Sequence, residues 1–128
     1  VNYLGRAGHT GEAEASISDV LGLLRAFGLS AEQDRTEIWP GWFSETVPQM
    51  ARGVGGIALL HLDGDWYEST RVCLERLYPL VVPGGFVVVD DYFHWKGCQK
   101  AVQEYREQHG IVERLHPSGG PSVWWRKA

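Results

Sequence analysis

The sequence predicts an α/β domain of three layers, with a mostly parallel sheet that ends in an antiparallel hairpin. Two short runs, residues 57–62 and 86–89, are apolar except for His61, which is typical of parallel strands covered by helices on both faces. Helical periodicity lies between and after these runs, and right-handed crossovers would place the helices on both faces of the sheet. At 128 residues the chain is long enough to form one domain with its own core.

The first part of the chain predicts a lead-in and one helix. Residues 1–15 are polar and show no sustained period, so we expect a loose lead-in. From Ser16 onward, apolar residues recur at helical spacing. Ser16 or Ser18 can cap this helix, and Gly28 can end it.

The next segment predicts a short strand followed by a short helix. Residues 36–39 have strand character and are stopped by Pro40 and the glycine after it. A brief helix then begins at Ser44 or Thr46 and continues to Met50.

The middle of the chain predicts a strand–helix–strand unit. The first strand covers residues 57–62, and Asp65 can cap the helix that follows it. The apolar stripe predicted for this helix consists of Trp66, Thr70, Cys73, Leu74, Leu77 and Tyr78. Residues 83–85 (PGG) predict a turn into the second strand, residues 86–89.

The last part of the chain predicts a helix and a closing hairpin. The helix covers roughly residues 97–109, and it buries Ala101, Val102 and Tyr105. Two strands follow, residues 111–115 and 122–126, joined by a loop whose length suits an antiparallel pair. Trp124 and Trp125 would give each face of the last strand one aromatic ring.

Composition excludes several classes of function. The net charge is −4 and no basic cluster is present, which argues against nucleic acid as a partner. The apolar runs are too short to cross a bilayer, and no secretory leader is visible before the first helix. Cys73 and Cys98 are too few for a disulfide framework or a four-ligand zinc site, so we expect free thiols in a cytoplasmic protein.

Carboxylates end both confident strands. Asp63 follows the first, and Asp90 and Asp91 follow the second. Ligands bind outside the carboxyl ends of the strands in an open parallel sheet, so these three side chains should converge. Three converging carboxylates repel each other unless a hard cation lies among them. The sequence therefore predicts a small divalent-metal site formed by Asp63, Asp90 and Asp91 at this edge of the sheet.

Other polar residues near these strand ends have plainer interpretations. Taken alone, Asp90 and Asp91 would be interpreted as a solvated strand end or a helix cap. A metal site becomes the better interpretation because Asp63 stands at the matching end of the other strand. His61 lies within a strand and is interpreted as a hydrogen-bonded core histidine rather than a base. His94 fits a substrate pocket or a surface loop equally well, and Cys98 is interpreted as ordinarily buried.

Several stretches of the chain resemble the macrocin O-methyltransferase family. The matching stretches are residues 41–48 (GWFSETVP), 60–70 (LHLDGDWYEST), 77–85 (LYPLVVPGG), 90–92 (DDY) and 97–102 (GCQKAV). The resemblance covers roughly residues 16–126 and is most specific from 60 to 92. Members of this family use S-adenosylmethionine to methylate sugar hydroxyls on natural products. One departure is Trp66, where relatives more often have leucine.

The resemblance implies a class I methyltransferase fold with sheet order 3-2-1-4-5-7-6. It also implies a magnesium ion held by Asp63, Asp90 and Asp91, which would grip vicinal hydroxyls of the sugar. Asp63 would then help to remove the proton. Coordination to a divalent ion lowers the pKa of a hydroxyl and fixes its oxygen in place, which suits methyl transfer.

The resemblance places the adenine of the cofactor near Gly41, Trp42 and Phe43. A hydrophobic plug at the sheet edge explains Trp42 and Phe43 equally well. The glycine-rich turn and acidic strand end that begin an adenosyl site are not found in this sequence.

The resemblance therefore covers only the C-terminal portion of the family's domain. Residues 36–39 would be its third strand, the two confident strands its fourth and fifth, and its first two strands have no counterpart. We thus expect a partial Rossmann-like fold in which the strand at 57–62 has an exposed edge that pairs with a second copy of the chain.

Three functions compete. The first is a magnesium- and S-adenosylmethionine-dependent O-methyltransferase of a sugar hydroxyl, here a portion expected to be inactive alone. The alternative is a non-catalytic, oligomeric assembly or binding module derived from a methyltransferase half. A weaker third hypothesis is a metal-dependent hydrolase, for which no pairing of serine with histidine stands out.

Overall fold

The computed structural model describes residues 16–30 and 36–128 and divides the chain into two units. The first unit is Val1–Thr46 and the second is Val47–Ala128. The lead-in predicted for residues 1–15 lies outside the described residues.

The first described element is helix α1, Ile17–Ala26, as predicted. Ser16 caps it: the backbone N–H of Asp19 donates to Ser16 Oγ at 3.2 Å, and Ser16 N–H donates to Asp19 Oδ2 at 2.9 Å. This reciprocal pair satisfies N–H groups that have no partner inside the helix. Gly28, with φ 72°, follows the helix in the left-handed region that favours glycine.

The short strand predicted for residues 36–39 is wrong. Residues 36–40 have no regular structure, and no described strand pairs with them. A strand needs a neighbour for its backbone N–H and C=O groups, so strand-forming residues alone do not suffice. The predicted short helix is confirmed as α2, Phe43–Met50.

The second unit contains a four-stranded sheet. Its strands are β1 (Ile57–Leu62), β2 (Val81–Val89), β3 (His116–Pro117) and β4 (Val123–Arg126), in the order β1-β2-β4-β3. β1 pairs with β2 in parallel, whereas the β2–β4 and β3–β4 pairs are antiparallel. This order matches the part 4-5-7-6 of the sheet order that the resemblance implies. The α/β class, the parallel central pair and the terminal hairpin are confirmed.

One face of the sheet forms the core of the second unit. Helices α3 (Tyr67–Leu77) and α4 (Lys96–Gln108) pack against each other, and Arg106 of α4 lies over the Trp125 ring at 4.9 Å. The buried strand residues of this face are Leu60, Leu62, Val87, Val89, Val123 and Trp125. Each such side chain stabilises the fold by about 1.5–3 kcal/mol. The buried residues predicted for α4 are confirmed.

The opposite face of the sheet, called the open face below, is partly exposed. Leu59 is 60% exposed and Phe86 is 42% exposed, and the two are register partners on β1 and β2. Trp124 and Val88 are half-buried partners on the same face, so Trp124 and Trp125 do occupy opposite faces as predicted. In the described part of the sheet, β1 pairs only with β2 and its other edge is unpaired.

Strand β2 begins earlier than predicted, at Val81 rather than at residue 86. Ile57 pairs with Val81 and Leu59 pairs with Phe86, so β2 has three residues more than β1 over this stretch. The extra residues include the turn predicted for residues 83–85, which in the structure is a bulge within β2. A Cβ at Gly85 would lie 2.9 Å from Val82 O and 3.1 Å from Ala58 O, so only glycine fits.

The strand predicted for residues 111–115 is also wrong, because the hairpin uses only His116–Pro117. The N–H of Ile111 donates to Arg106 O at 2.9 Å and so ends α4, after Gly110 with φ 62°. The Arg106 guanidinium donates to Glu113 O. The backbone N–H of Ile111 and the carbonyl of Glu113, which a strand would use to pair with its neighbour, are therefore already bonded to the end of α4.

Candidate functional site

The carboxyl ends of β1 and β2 bring the predicted aspartates to one edge of the sheet. Leu62, the last residue of β1, is paired with Val89, the last residue of β2. The N–H of Asp90 donates to Leu62 O at 2.9 Å and extends the ladder past both strands. Asp63 and Asp91 therefore leave the sheet side by side, as expected of parallel neighbours.

Three carboxylates lie close together at this edge. Asp63, Asp65 and Asp91 each offer an oxygen, and these oxygens lie within 4.8 Å of one another. We call these three residues the carboxylate cluster. Sequence reasoning missed Asp65, which was predicted to cap α3. That prediction is wrong: the N-cap residue is Trp66, and Asp65 adopts φ 53°, a turn conformation.

Asp90 is not one of the three residues of this cluster, but it lies beside it. Its Oδ1 accepts a hydrogen bond of 2.6 Å from the Ser122 hydroxyl, which is next to β4. The negative charge of Asp90 acts on Asp63 and contributes to raising the pKa of Asp63. Hydrogen-bonded carboxylates are the usual partners around a metal ion, since the bond fixes the direction of the other oxygen.

Two carboxyl groups of the cluster, Asp63 and Asp65, hold their protons more tightly than free carboxyl groups do. Partial burial, followed by the charges of Asp90 and Asp91, raises the pKa of Asp63. Partial burial, followed by a hydrogen bond to Asp91, raises the pKa of Asp65 to about 6. Both causes disfavour the charged form of these carboxyl groups. A bound cation would stabilise that charged form.

The donor set decides which cation fits. Every group in the cluster is a carboxylate, and neither of the two cysteines belongs to it. Oxygen-only donors suit magnesium, manganese or calcium, whereas zinc prefers thiolate and imidazole ligands. The residues present fit the magnesium ion that the family resemblance implies.

The other polar candidates lie in different surroundings. His61 is exposed on the open face, so its interpretation as a core histidine is wrong. His94 lies in the turn after β2, and its ring centroid is 5.2 Å from that of Trp95. Cys73 and Cys98 are free and buried, as predicted, and burial raises the pKa of each thiol, that of Cys73 to about 12.

Trp66 also differs from its prediction. Helical spacing assigned it to the buried stripe of α3, yet it is 36% exposed and only the rest of that stripe is buried. Its ring centroid lies 5.2 Å from the ring of Trp95, which is 37% exposed. The two exposed rings lie one at the start of α3 and one at the start of α4.

Comparison with known proteins decides the family. The sequence profile described as Macrocin-O-methyltransferase (TylF) matches residues 7–127. The chain belongs to this family. The match includes both strand ends, the carboxylate cluster and Ser122.

Two relatives of the chain are O-methyltransferases of natural products. The chain is 39% identical over 118 residues to an 8-demethyl-8-(2,3-dimethoxy-alpha-L-rhamnosyl)-tetracenomycin-C 4'-O-methyltransferase of Streptomyces olivaceus, covering 92% of this chain and 43% of that protein. It is 41% identical over 103 residues to demethyldecarbamoylnovobiocin O-methyltransferase of Streptomyces niveus, covering 80% of this chain and 38% of that protein. The chain thus spans less than half the length of these relatives.

A solved O-methyltransferase structure shares the fold. The O-methyltransferase NovP superposes with a TM-score of 0.84 at 34% identity, covering 97% of this chain and 54% of that one. The resemblance of the mixed α/β sheet to a methyltransferase is therefore confirmed. No helix within residues 16–30 and 36–128 is long and apolar enough to span a membrane.

The residues expected near the adenine in this family lie in the first unit. Gly41, Trp42 and Phe43 are half-buried at the start of α2, and Gly41 has φ 136°. The carbonyl of Trp42 accepts the N–H of Thr46 at 2.9 Å and begins the helix. Their binding of a cofactor stays a prediction.

Proposed function

We propose that the chain provides the metal-binding and acceptor-binding portion of a magnesium- and S-adenosylmethionine-dependent O-methyltransferase that modifies a sugar hydroxyl of a natural product. The observation that carries this proposal is the carboxylate cluster at the ends of two parallel strands. Membership of the macrocin O-methyltransferase family and the names of the relatives support the reaction class.

In this proposal Asp63, Asp90 and Asp91 hold the ion, and Asp65 is a fourth carboxylate close to two of them. Ser122 orients Asp90 through its hydrogen bond. Bound there, a divalent ion would lower the pKa of a sugar hydroxyl and position its oxygen. Magnesium keeps several exchangeable water positions, which leaves room for two neighbouring hydroxyls.

Asp63 has the properties of the base. Its side chain is exposed at the strand end, so a substrate can reach it. Its pKa is raised by partial burial and by its acidic neighbours. A bound cation would oppose this rise, so the role of Asp63 as base rests on its place beside the ion that would hold the hydroxyl. Asp63 would accept the proton of the hydroxyl, and S-adenosylmethionine, when bound, would supply the methyl group to the hydroxyl oxygen.

The cofactor contacts proposed for this chain are Gly41, Trp42 and Phe43. Because the sequence lacks the glycine-rich turn of an adenosyl site, we expect no methyl transfer by this chain alone. Calorimetric titration of S-adenosylhomocysteine, with and without Mg²⁺, tests this expectation. Tight binding would contradict it and would assign a complete cofactor site to the chain.

Two free, buried thiols support a cytoplasmic location.

Metal binding is tested with Mn²⁺, whose free form is counted by electron paramagnetic resonance. Asp63→Asn and Asp91→Asn should each lower Mn²⁺ affinity at least about tenfold, since each removes a charged ligand of similar size. Asp19→Asn is the matched control, because Asp19 belongs to the capping box of α1 and not to the carboxylate cluster. Equal affinity in all three variants would refute the metal assignment.

A second candidate function is an assembly module without catalytic activity. It is favoured by the unpaired edge of β1 and by the open face, where Leu59 is 60% exposed. An exposed edge with apolar neighbours pairs readily with another chain, here a second copy.

Light scattering over a range of micromolar concentrations tests this self-association. The wild-type chain should form oligomers, and Leu59→Lys should dissociate them. Val112→Lys is the control, because Val112 is 90% exposed and lies outside the sheet. A wild-type chain that stays monomeric throughout would refute the assembly function and leave the metal site untouched.

A further inference from the structure

A tryptophan immediately precedes each of the helices α3 and α4. Trp66 is the N-cap of α3 and Trp95 is the N-cap of α4, and neither makes a side-chain capping bond. Their ring centroids lie 5.2 Å apart with the planes tilted by 40°. We call these two residues the tryptophan pair. Each is over one-third exposed, so neither ring is simply part of the core.

The tryptophan pair lies beside the carboxylate cluster. Trp66 directly follows Asp65, and the N–H of Trp95 donates to Asp91 O at 3.0 Å. The N–H of Trp66 donates to Gly64 O at 2.5 Å, within the tight turn that carries Asp65. The two rings are thus fixed to the same turns that position the carboxylates.

Contacts between α3 and α4 hold the pair in place. A Cβ at Gly97 would lie 3.1 Å from the backbone nitrogen of Tyr67, so the two helix starts approach closely. The Tyr67 hydroxyl donates to Glu104 Oε2 at 2.6 Å and accepts from Arg71 Nη1 at 2.9 Å. These bonds join the first turn of α3 to α4 and fix the separation of the two rings.

Tryptophan at these two positions provides no side-chain cap for either helix. Serine, threonine, aspartate or asparagine at an N-cap typically stabilises a helix by about 1 kcal/mol relative to an apolar residue. Both helices lack this contribution, while two large apolar rings stay exposed to water. Departures from local rules of this kind are expected at functional sites.

We propose that the tryptophan pair is a stacking platform for the C–H face of a pyranose ring whose hydroxyls point to the carboxylate cluster. This inference rests on the proposed function and adds the part of the chain that recognises the acceptor. An aromatic ring attracts the weakly positive C–H groups of a sugar face, whereas carboxylates and a cation bind hydroxyls. A ligand that meets both surfaces must have an apolar face and polar edges, as a pyranose has.

Saturation-transfer NMR with methyl α-L-rhamnopyranoside and Mg²⁺ tests the platform on the full chain. We expect transfer from the protein to the carbon-bound ring protons of the sugar. Trp66→Leu or Trp95→Leu should weaken binding about two- to tenfold, as expected for loss of one aromatic contact, and the double variant should abolish the signal. Trp66→Phe should restore most of it.

Matched controls separate the platform from general loss of structure. Phe86→Leu should leave the signal unchanged, because Phe86 is 42% exposed but lies on the open face of the sheet, opposite α3 and α4. Thermal unfolding and Mn²⁺ binding of the leucine variants should remain close to those of the wild type, since neither ring is a metal ligand.

The outcomes distinguish the two proposals. If Mn²⁺ binds but the sugar signal is absent or survives loss of both rings, the platform is refuted and the metal site stands. If the wild-type chain does not bind Mn²⁺, the proposed function fails, whatever the rings do.

Discussion

The hydroxyl of Ser122 donates to Oδ1 of Asp90 at 2.6 Å, across 32 residues of sequence. This bond joins the start of β4 to the end of β2 and engages one of the two oxygens of Asp90. The other oxygen can then face the cation site in a fixed direction. Asp90 and Asp91 are adjacent in sequence, yet only Asp91 belongs to the carboxylate cluster.

Removing this hydroxyl should weaken metal binding. We expect Ser122→Ala to lower Mn²⁺ affinity about 10- to 100-fold, the usual effect of losing a group that orients a ligand. Ser122→Thr should retain the affinity because it keeps the donor. Ser118→Ala is the control, since the Ser118 hydroxyl donates to the Ser122 carbonyl and not to a carboxylate. Equal affinities for Ser122→Ala and Ser118→Ala would contradict the role given to Ser122.

The sequence predicts that Asp63 and Asp91 meet at one edge of the sheet, because this prediction depends only on the topology of the strands. Once residues 57–62 and 86–89 are parallel neighbours, Asp63 and Asp91 must leave the sheet at one edge. Asp65 could not be predicted in the same way. Its place depends on a left-handed turn with φ 53°, which aspartate adopts less readily than glycine and which no pattern in the sequence marks here.

Two other errors have physical causes that no local pattern reveals. Periodicity places Trp66 on the buried face of α3, but the close approach of Gly97 to Tyr67 brings Trp95 against its ring at the surface. Residues 111–115 have strand character, but the end of α4 already uses the N–H of Ile111. In both places a contact between elements overrides propensity.

The bulge in β2 leads us to a second prediction, which concerns the stability of a Gly85 variant. At Gly85 a methyl group would meet two backbone carbonyl oxygens, at 2.9 and 3.1 Å, and backbone atoms cannot move aside cheaply. Gly85→Ala should therefore lower the free energy of unfolding by about 1–3 kcal/mol in urea denaturation. Gly55→Ala is the control, because nothing lies within 4 Å of the added methyl group. A Gly85→Ala chain as stable as Gly55→Ala would contradict the bulge.

The buried tyrosine of α4 predicts a loss of stability in alkali. Burial raises the pKa of Tyr105 from 10.0 to about 12, and the nearby groups Tyr78 and Glu75 add to the rise. Between these values the folded chain keeps a proton that the unfolded chain has released, so stability falls as pH rises. This contribution is fully present below pH 10.0 and is lost as pH rises through about 12.

Tyr105→Phe isolates this effect, because phenylalanine keeps the ring but has no proton to release. Urea denaturation at about pH 9 and about pH 11.5 should show a smaller loss of stability in the variant than in the wild type. Identical losses would show that Tyr105 does not titrate differently in the folded and unfolded chains.

The most direct test of the central claim is a crystal of the chain soaked in Mn²⁺ and measured at a wavelength where manganese scatters anomalously. The account predicts one strong peak at the ends of β1 and β2, with oxygens of Asp63, Asp90 and Asp91 at about 2.1 Å. A peak elsewhere, or none at this edge with the cluster intact, would contradict the metal site and the O-methyltransferase function built on it.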